Sequence, residues 1–341
     1  MKLCKPKKIN NKRKKSLEET ELKQICQVFT SPFIRERDLK QSSKQLENVI
    51  LQFQTEFLNK KQTQENIQEL KTRKEFWEGL LKLITKSSKI ILYSVLKKST
   101  IKILFSFFKT EDQEERDLIK MIIHQIYSKY VSYRIFLRQL IRNFYLNSIQ
   151  NEEDFQGISE MLEITKSIIS GLKVPIKKEY NQDLYKIILP LFKNPNMISY
   201  SNSLKLCVSE FIQKDLNFSQ SILQFLIKFY PKTNYHKQII FISEFQEIIP
   251  ELNDSFHQFT SDSLFPFLLK LINCDNSFVT SKTLDLFQNI FFIDFFCKSS
   301  KCLGLFTNTI SNCGVNHWSS EIRDKIKILG FEMRQICSDD F

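Results

Sequence analysis

The stretch KMIIHQIYSKYVSYR, residues 120–134, sets Lys120, His124, Tyr127 and Arg134 at offsets of four, seven and fourteen. At about 100° per residue those side chains fall within roughly 40° of one direction on a helix, so they form one narrow stripe. Ile119, Ile123, Ile126 and Tyr130 make a second stripe roughly 80° around, the pattern of a helix with one face in a core. The polar stripe therefore borders the core-facing one. Tyr130 is the weak point of the periodicity, because Arg134 joins the first stripe only if the helix runs through it.

Working outward, helical periodicity recurs from Glu21 over residues 21–30, 40–59, 75–85, 88–108, 115–129, 131–148, 155–171, 179–193, 201–213, 219–229, 236–249, 255–272, 278–296, 301–311 and 318–337. Strand signals are almost absent. The segments LPLF at Pro190 and FPFLLKL at Pro266 are alike and 76 residues apart, and FYPKT at Pro231 ends a helix 41 residues after Pro190. Spacings near 40 fit paired-helix repeats of the HEAT or armadillo kind, in which no pair buries its apolar face alone and neighbours stack into a shared core. The expectation is an all-α, HEAT-like helical-repeat solenoid over residues 21–341, behind a tail of residues 1–20. The polar stretch NKKQTQENIQELKTRKE, residues 59–75, reads as a linker that can also be helical.

Composition agrees with long helices. The 341 residues exceed what one compact core accommodates, and 31 Phe with only 6 Gly and 8 Pro leave few turn-formers. Net charge is +12, but residues 1–15, MKLCKPKKINNKRKK, hold eight basic side chains and no acid. Beyond them the 42 basic residues exceed the 38 acidic ones by only 4. Such a block is expected to be a disordered tail, an import signal, or a contact for nucleic acid or anionic lipid. With no apolar run behind the charges and no run of 18 apolar residues, neither a secretory signal nor a membrane span is expected. The chain reads as cytoplasmic, with the nucleus as a second compartment if the tail is an import signal.

The eight cysteines are scattered and read as reduced thiols. Cys297, Cys302, Cys313 and His317 have the loosely zinc-like spacing C-x4-C-x10-C-x3-H, but Cys297 ends the apolar run IFFIDFF and the spacing matches no tight knuckle, so a metal is not expected. The six glycines are isolated, which removes a phosphate-cradling loop, and no G-x-S-x-G, H-E-x-x-H or paired-histidine spacing occurs. No cofactor and no catalytic residue is expected; the pattern is that of a binding protein.

Residues 114–145, EERDLIKMIIHQIYSKYVSYRIFLRQLIRNFY, resemble the most characteristic helix pair of the B-prime regulatory subunits of protein phosphatase 2A. GISEMLEITKSIISGLKVPIKKE (157–179), ILPLFK (188–193), CVSEFIQKD (207–215), LIKFYPKTNYHKQIIFISEFQEII (226–249) and HWSSEI from residue 317 are similar to that family in its own order. The resemblance covers about 111–330. From 21 to 110 it is carried only by the surroundings of ICQVF and Trp77.

The resemblance implies a non-catalytic subunit that joins a scaffold and a catalytic subunit and selects substrate or adaptor proteins by gripping a short Leu-x-x-Ile-x-Glu peptide. It implies a groove with Lys120, His124, Tyr127 and Arg134 on one wall, Glu163, Ile164 and Ile168 on the facing wall, and Lys177 beyond. Tyr127 and the stem of Arg134 suit a leucine pocket, and Ile164, Ile168 and His124 an isoleucine pocket. Lys120 or Lys177 would receive the acidic end, and an Arg134–Glu163 ion pair between the walls is expected to hold the pocket open. Gln125 stands where the family usually has arginine, Met121 where it has threonine, and Tyr180 where histidine is common. Without that guanidinium, peptide binding should depend less on phosphorylation. The alternative is a stand-alone helical-repeat adaptor, nuclear or nucleic-acid associated, that has lost phosphatase assembly; otherwise neither nucleic acid nor membrane is an expected partner.

Overall fold

The computed structural model describes residues 36–59, 67–86, 96–151, 155–252, 257–289, 292 and 299–339. The basic tail and the helix expected over 21–30 lie outside the described residues, as does Cys297. All regular elements among the described residues are helical. No helix there is long and apolar enough to cross a membrane.

Two compact units make up the chain, one ending at Ile164 and one beginning at Thr165. The first holds α1 (Glu36–Asn59), α2 (Ile67–Lys86), α3 (Lys98–Leu104, tightening into a 3-10 turn at Phe105–Lys109), α4 (Gln113–Lys129) and α5 (Arg134–Gln150). Its boundary falls within α6 (Ile158–Ser170). Here α1 packs on α3, and α2 runs along α4. The second unit holds α7 (Lys178–Asp183), α8 (Ser201–Lys214), α9 (Phe218–Lys228), α10 (Tyr235–Ile248), α11 (Phe265–Ile272), α12 (Ser277–Phe287), α13 (Ser300–Asn316) and α14 (Ser320–Asp339). In it α8 packs on α10, α10 on α12, α12 on α14 and α11 on α13, while α11 with α12 and α13 with α14 form pairs. Contact with the chain neighbour and with the next helix but one is the arrangement of a HEAT-like helical-repeat solenoid.

Polar links one repeat apart follow the same spacing. At a helix C-terminus the last carbonyls lack intrahelical partners and carry partial negative charge, which favours a lysine. Lys129 donates to the Ile84 carbonyl at 2.7 Å, 45 residues back. Lys214 donates to Ser170 at 2.6 Å, 44 residues back, and Lys237 to Asn194 at 2.6 Å, 43 residues back. Each stacked helix thus ties off an earlier one.

The stretch read as a linker is helical from Ile67, and the charge of its Arg73 is structural. Arg73, 3% exposed, forks onto Glu115 through Nε to Oε1 at 2.8 Å and Nη2 to Oε2 at 2.9 Å. Trp77 Nε1 donates to the same Oε1 at 2.8 Å, and its ring packs edge-on against Phe107 with centroids 5.1 Å apart. Its charged composition concealed an ion pair whose second member lies 42 residues on.

The two similar proline segments are alike in structure too. A π turn, Leu184–Ile188, precedes Pro190, and another, Thr260–Leu264, precedes Pro266. Proline has no N–H for the carbonyl four residues back and its ring crowds that carbonyl, so the helix widens locally instead of breaking.

Candidate functional site

Helix α4 begins at Asp112, whose carboxylate accepts the Glu115 amide at 2.7 Å, with Glu114 and Glu115 in the first turn where the helix dipole favours them. Ile119, Ile122, Ile123, Ile126 and Tyr130 are wholly buried. That fixes the rotation of α4 and leaves Lys120, His124 and Tyr127 half-buried along its flank.

The helix does not run through Tyr130. That residue takes φ −114° and ψ 89°, a 3-10 turn spans Val131–Tyr133, and Arg134 opens α5. The fourteen-residue offset therefore does not carry Arg134 into the stripe, because burying the Tyr130 ring turns the chain. Arg134 returns by another route. Its Nε donates to the Tyr127 carbonyl at 3.0 Å, its Nη2 to the Ser128 carbonyl at 3.1 Å, and its guanidinium carbon lies 5.3 Å from the Tyr127 ring centroid. One side chain both closes the end of α4 and presses on the tyrosine face by a cation–π contact.

The expected Arg134–Glu163 ion pair is replaced. Glu163 accepts from Lys120 at 2.7 Å, and Lys120 also donates to Asp117 at 2.6 Å. Burial works against the Lys120 charge, yet the hydrogen bonds to Asp117 and Glu163, with their negative charges, hold its pKa above the ordinary lysine value. One turn earlier Arg116 meets Glu160 at 2.7 Å, so Arg116 with Glu160 and Lys120 with Glu163 advance together along α4 and α6. Asp117 was missed in the sequence, although its i,i+3 spacing to Lys120 signals such a pair.

The other expected groove residues are placed differently. Ile164 is 1% exposed and Ile168 7%, so both add to the core and offer almost no surface. Ile168 and Lys177 belong to the second unit; Lys177 is exposed and stands just before α7, with no side-chain hydrogen bond to that helix. Gln125 is half-buried and Tyr180 buried, while Met121 is 41% exposed. Val131 and Ile135, unremarked in the sequence, are 65% and 63% exposed on either side of the Tyr133–Arg134 turn.

Elsewhere, burial pushes the Cys207 thiol up to about 12, which removes it as a nucleophile. Cys313 Sγ lies 3.5 Å from the Ile272 carbonyl and His317 Nδ1 accepts the Ser319 amide at 3.1 Å. Among the described residues no three His, Cys, Asp or Glu side chains are grouped to hold a metal.

The family model described as "Protein phosphatase 2A regulatory B subunit (B56 family)" matches residues 6–338. The chain belongs to the B56 family. Among curated B56 relatives, the mouse 56 kDa regulatory subunit alpha isoform is 30% identical over 220 residues, which is 64% of this chain and 45% of that protein. The Caenorhabditis elegans regulatory subunit pptr-1 is 31% identical over 220 residues, 64% of this chain and 41% of its own. The rice B' kappa isoform is 29% identical over 268 residues, 76% and 52% of the two chains. This B56 chain thus spans about half the length of the curated relatives it matches.

Proposed function

We propose that this chain is a non-catalytic regulatory subunit of protein phosphatase 2A that binds the scaffold and catalytic subunits and recruits substrates carrying Leu-x-x-Ile-x-Glu-type peptides. The observation that carries the reading is the family match over residues 6–338, and the cluster on the flank of α4 gives it chemistry. Tyr127 under Arg134 offers a flat apolar wall whose position is held by two backbone hydrogen bonds. Lys120 keeps its charge beside the same wall and, positioned by Glu163, exchanges Asp117 for a peptide carboxylate. The ligand surface in this reading is the part lined by Lys120, His124, Tyr127, Arg134 and Glu163. With Gln125 in place of arginine, a phosphate in the peptide adds little to affinity, which matched phosphorylated and plain peptides test directly.

Assembly is tested by mixing the full chain with purified scaffold and catalytic subunits and resolving the mixture by gel filtration. A single ternary peak is the expected result. Elution of the chain apart from both subunits refutes the assembly. The second reading, a stand-alone adaptor for nucleic acid, is favoured only by the eight basic residues of the first fifteen. Nucleic-acid binding that falls steeply with salt and vanishes on deletion of residues 1–16 would support it instead.

A further inference from the structure

Within the second unit, α8 and the end of α10 enclose a cleft of about 320 Å³ that lies outside the proposed peptide surface. That volume is at the small end of ligand sites, which run from about 300 to 1,000 Å³, so it suits one side chain and not a folded segment. Its floor includes Glu244, 1% exposed, whose Oε1 has no hydrogen-bond partner. A buried acceptor left unmade is costly, and a glutamate is rarely buried without a partner. The obvious partner is engaged elsewhere: Lys205, on the cleft wall, pairs with Glu247 at 3.2 Å. Glu251 adds a further carboxylate to the lining, while Leu206 and Ile248 give it apolar surface.

We propose that this cleft receives an arginine side chain from a partner protein, with Glu244 as the buried counter-ion and Leu206 and Ile248 against the aliphatic stem. The reading is independent of the peptide surface on α4. A guanidinium brings five N–H donors and no acceptor into a site whose charged lining is dominated by carboxylates, and it satisfies the orphaned Glu244 oxygen. It is also less strongly hydrated than an ammonium, so it enters a half-enclosed cleft at lower cost. A metal ion would need a third converging ligand, and no such group occurs among the described residues. Burial pushes the Glu244 carboxyl up to about 8, with Lys205 opposing and Glu247 reinforcing the shift. A cation placed beside that carboxyl favours its charged form.

The test is a titration of full-length protein, carrying labelled leucine and isoleucine methyl groups, with a blocked Gly-Gly-Arg-Gly-Gly peptide. Saturating shifts at Leu206, Ile212 and Ile248 are expected. Affinity should drop about tenfold or more for the citrulline version of the peptide, and equally for Glu244→Gln with the arginine peptide, because each change removes the charge-assisted bond. Free arginine should bind more weakly than the blocked peptide, since its carboxylate meets Glu247 and Glu251. Equal binding of the citrulline peptide by the unaltered protein overturns the proposal without reference to any variant. So does unchanged affinity in Glu244→Gln, or tighter binding of free arginine.

Discussion

Arg134 lies across the ring of Tyr127, its guanidinium carbon 5.3 Å from the ring centroid and its Nε on the Tyr127 carbonyl at 3.0 Å. Two residues seven apart, on different helices, are therefore one unit: the arginine fixes the end of α4 while it fixes the face of the tyrosine. The fork onto the Tyr127 and Ser128 carbonyls needs a planar group with several donors, which lysine lacks. Arg134→Lys should weaken Leu-x-x-Ile-x-Glu peptide binding nearly as much as Arg134→Ala, by about 2 kcal/mol or roughly thirtyfold. Titration of both variants with one peptide checks this, and near-wild-type affinity in Arg134→Lys contradicts it.

Glu115 is wholly buried and takes three donated hydrogen bonds, two from Arg73 and one from Trp77. Removing the carboxylate leaves the Arg73 charge buried and unpaired. Glu115→Ala should lose about 3–5 kcal/mol of unfolding free energy in urea, far more than an exposed ion pair contributes. A loss below about 1 kcal/mol would contradict the pairing.

Gly157 starts the turn into α6 with φ +79°, and a Cβ there would stand 2.6 Å from the Phe108 carbonyl oxygen and 2.7 Å from Phe108 Cβ. Both the backbone conformation and the space exclude a side chain. Gly157→Ala should cost about 1–3 kcal/mol or more in unfolding free energy, whereas Gly304→Ala, where a Cβ meets nothing within 4 Å, should not destabilise the protein. Parallel thermal melts distinguish the two.

Burial pushes the Glu244 carboxyl up to about 8 from an ordinary 4.5. Between those values the unfolded chain has lost the proton and the folded chain keeps it, so stability falls as pH rises through that window. Below it both states are protonated and nothing is lost; above it the full cost applies. Glu244→Gln removes the fall and should stabilise the protein by a few kcal/mol, to order of magnitude, at pH 8 while changing little at pH 4. Urea midpoints at the two pH values read the difference, and equal effects at both would contradict it.

The fold was legible because burial repeats with the helical period. Ile119, Ile123, Ile126 and Tyr130 are wholly buried along one side of α4, and the two similar proline segments mark matching turns in the second unit. What periodicity could not reveal was pairing over a repeat length. Arg73 fell within a polar stretch read as a linker because Glu115 lies 42 residues on, and Glu163 was matched to Arg134 because a single spacing does not tell which cation arrives first. The place of Arg134 was hidden for a different reason: no helical wheel represents a chain that turns at Tyr130 and sends a side chain back over the preceding helix. The burial of Ile164 and Ile168 was equally out of reach, since resemblance transfers a residue's position and not its exposure.

The most direct measurement is a fluorescence-polarisation titration of a labelled Leu-x-x-Ile-x-Glu peptide against the wild-type chain, Tyr127→Ala and Glu163→Ala, each with a thermal melt. The account predicts saturable wild-type binding, an affinity about thirtyfold weaker in each variant, and melts that stay close to wild type. No saturable binding by the wild type, or equal affinity in all three proteins, would contradict the claim that this flank of α4 is the ligand surface.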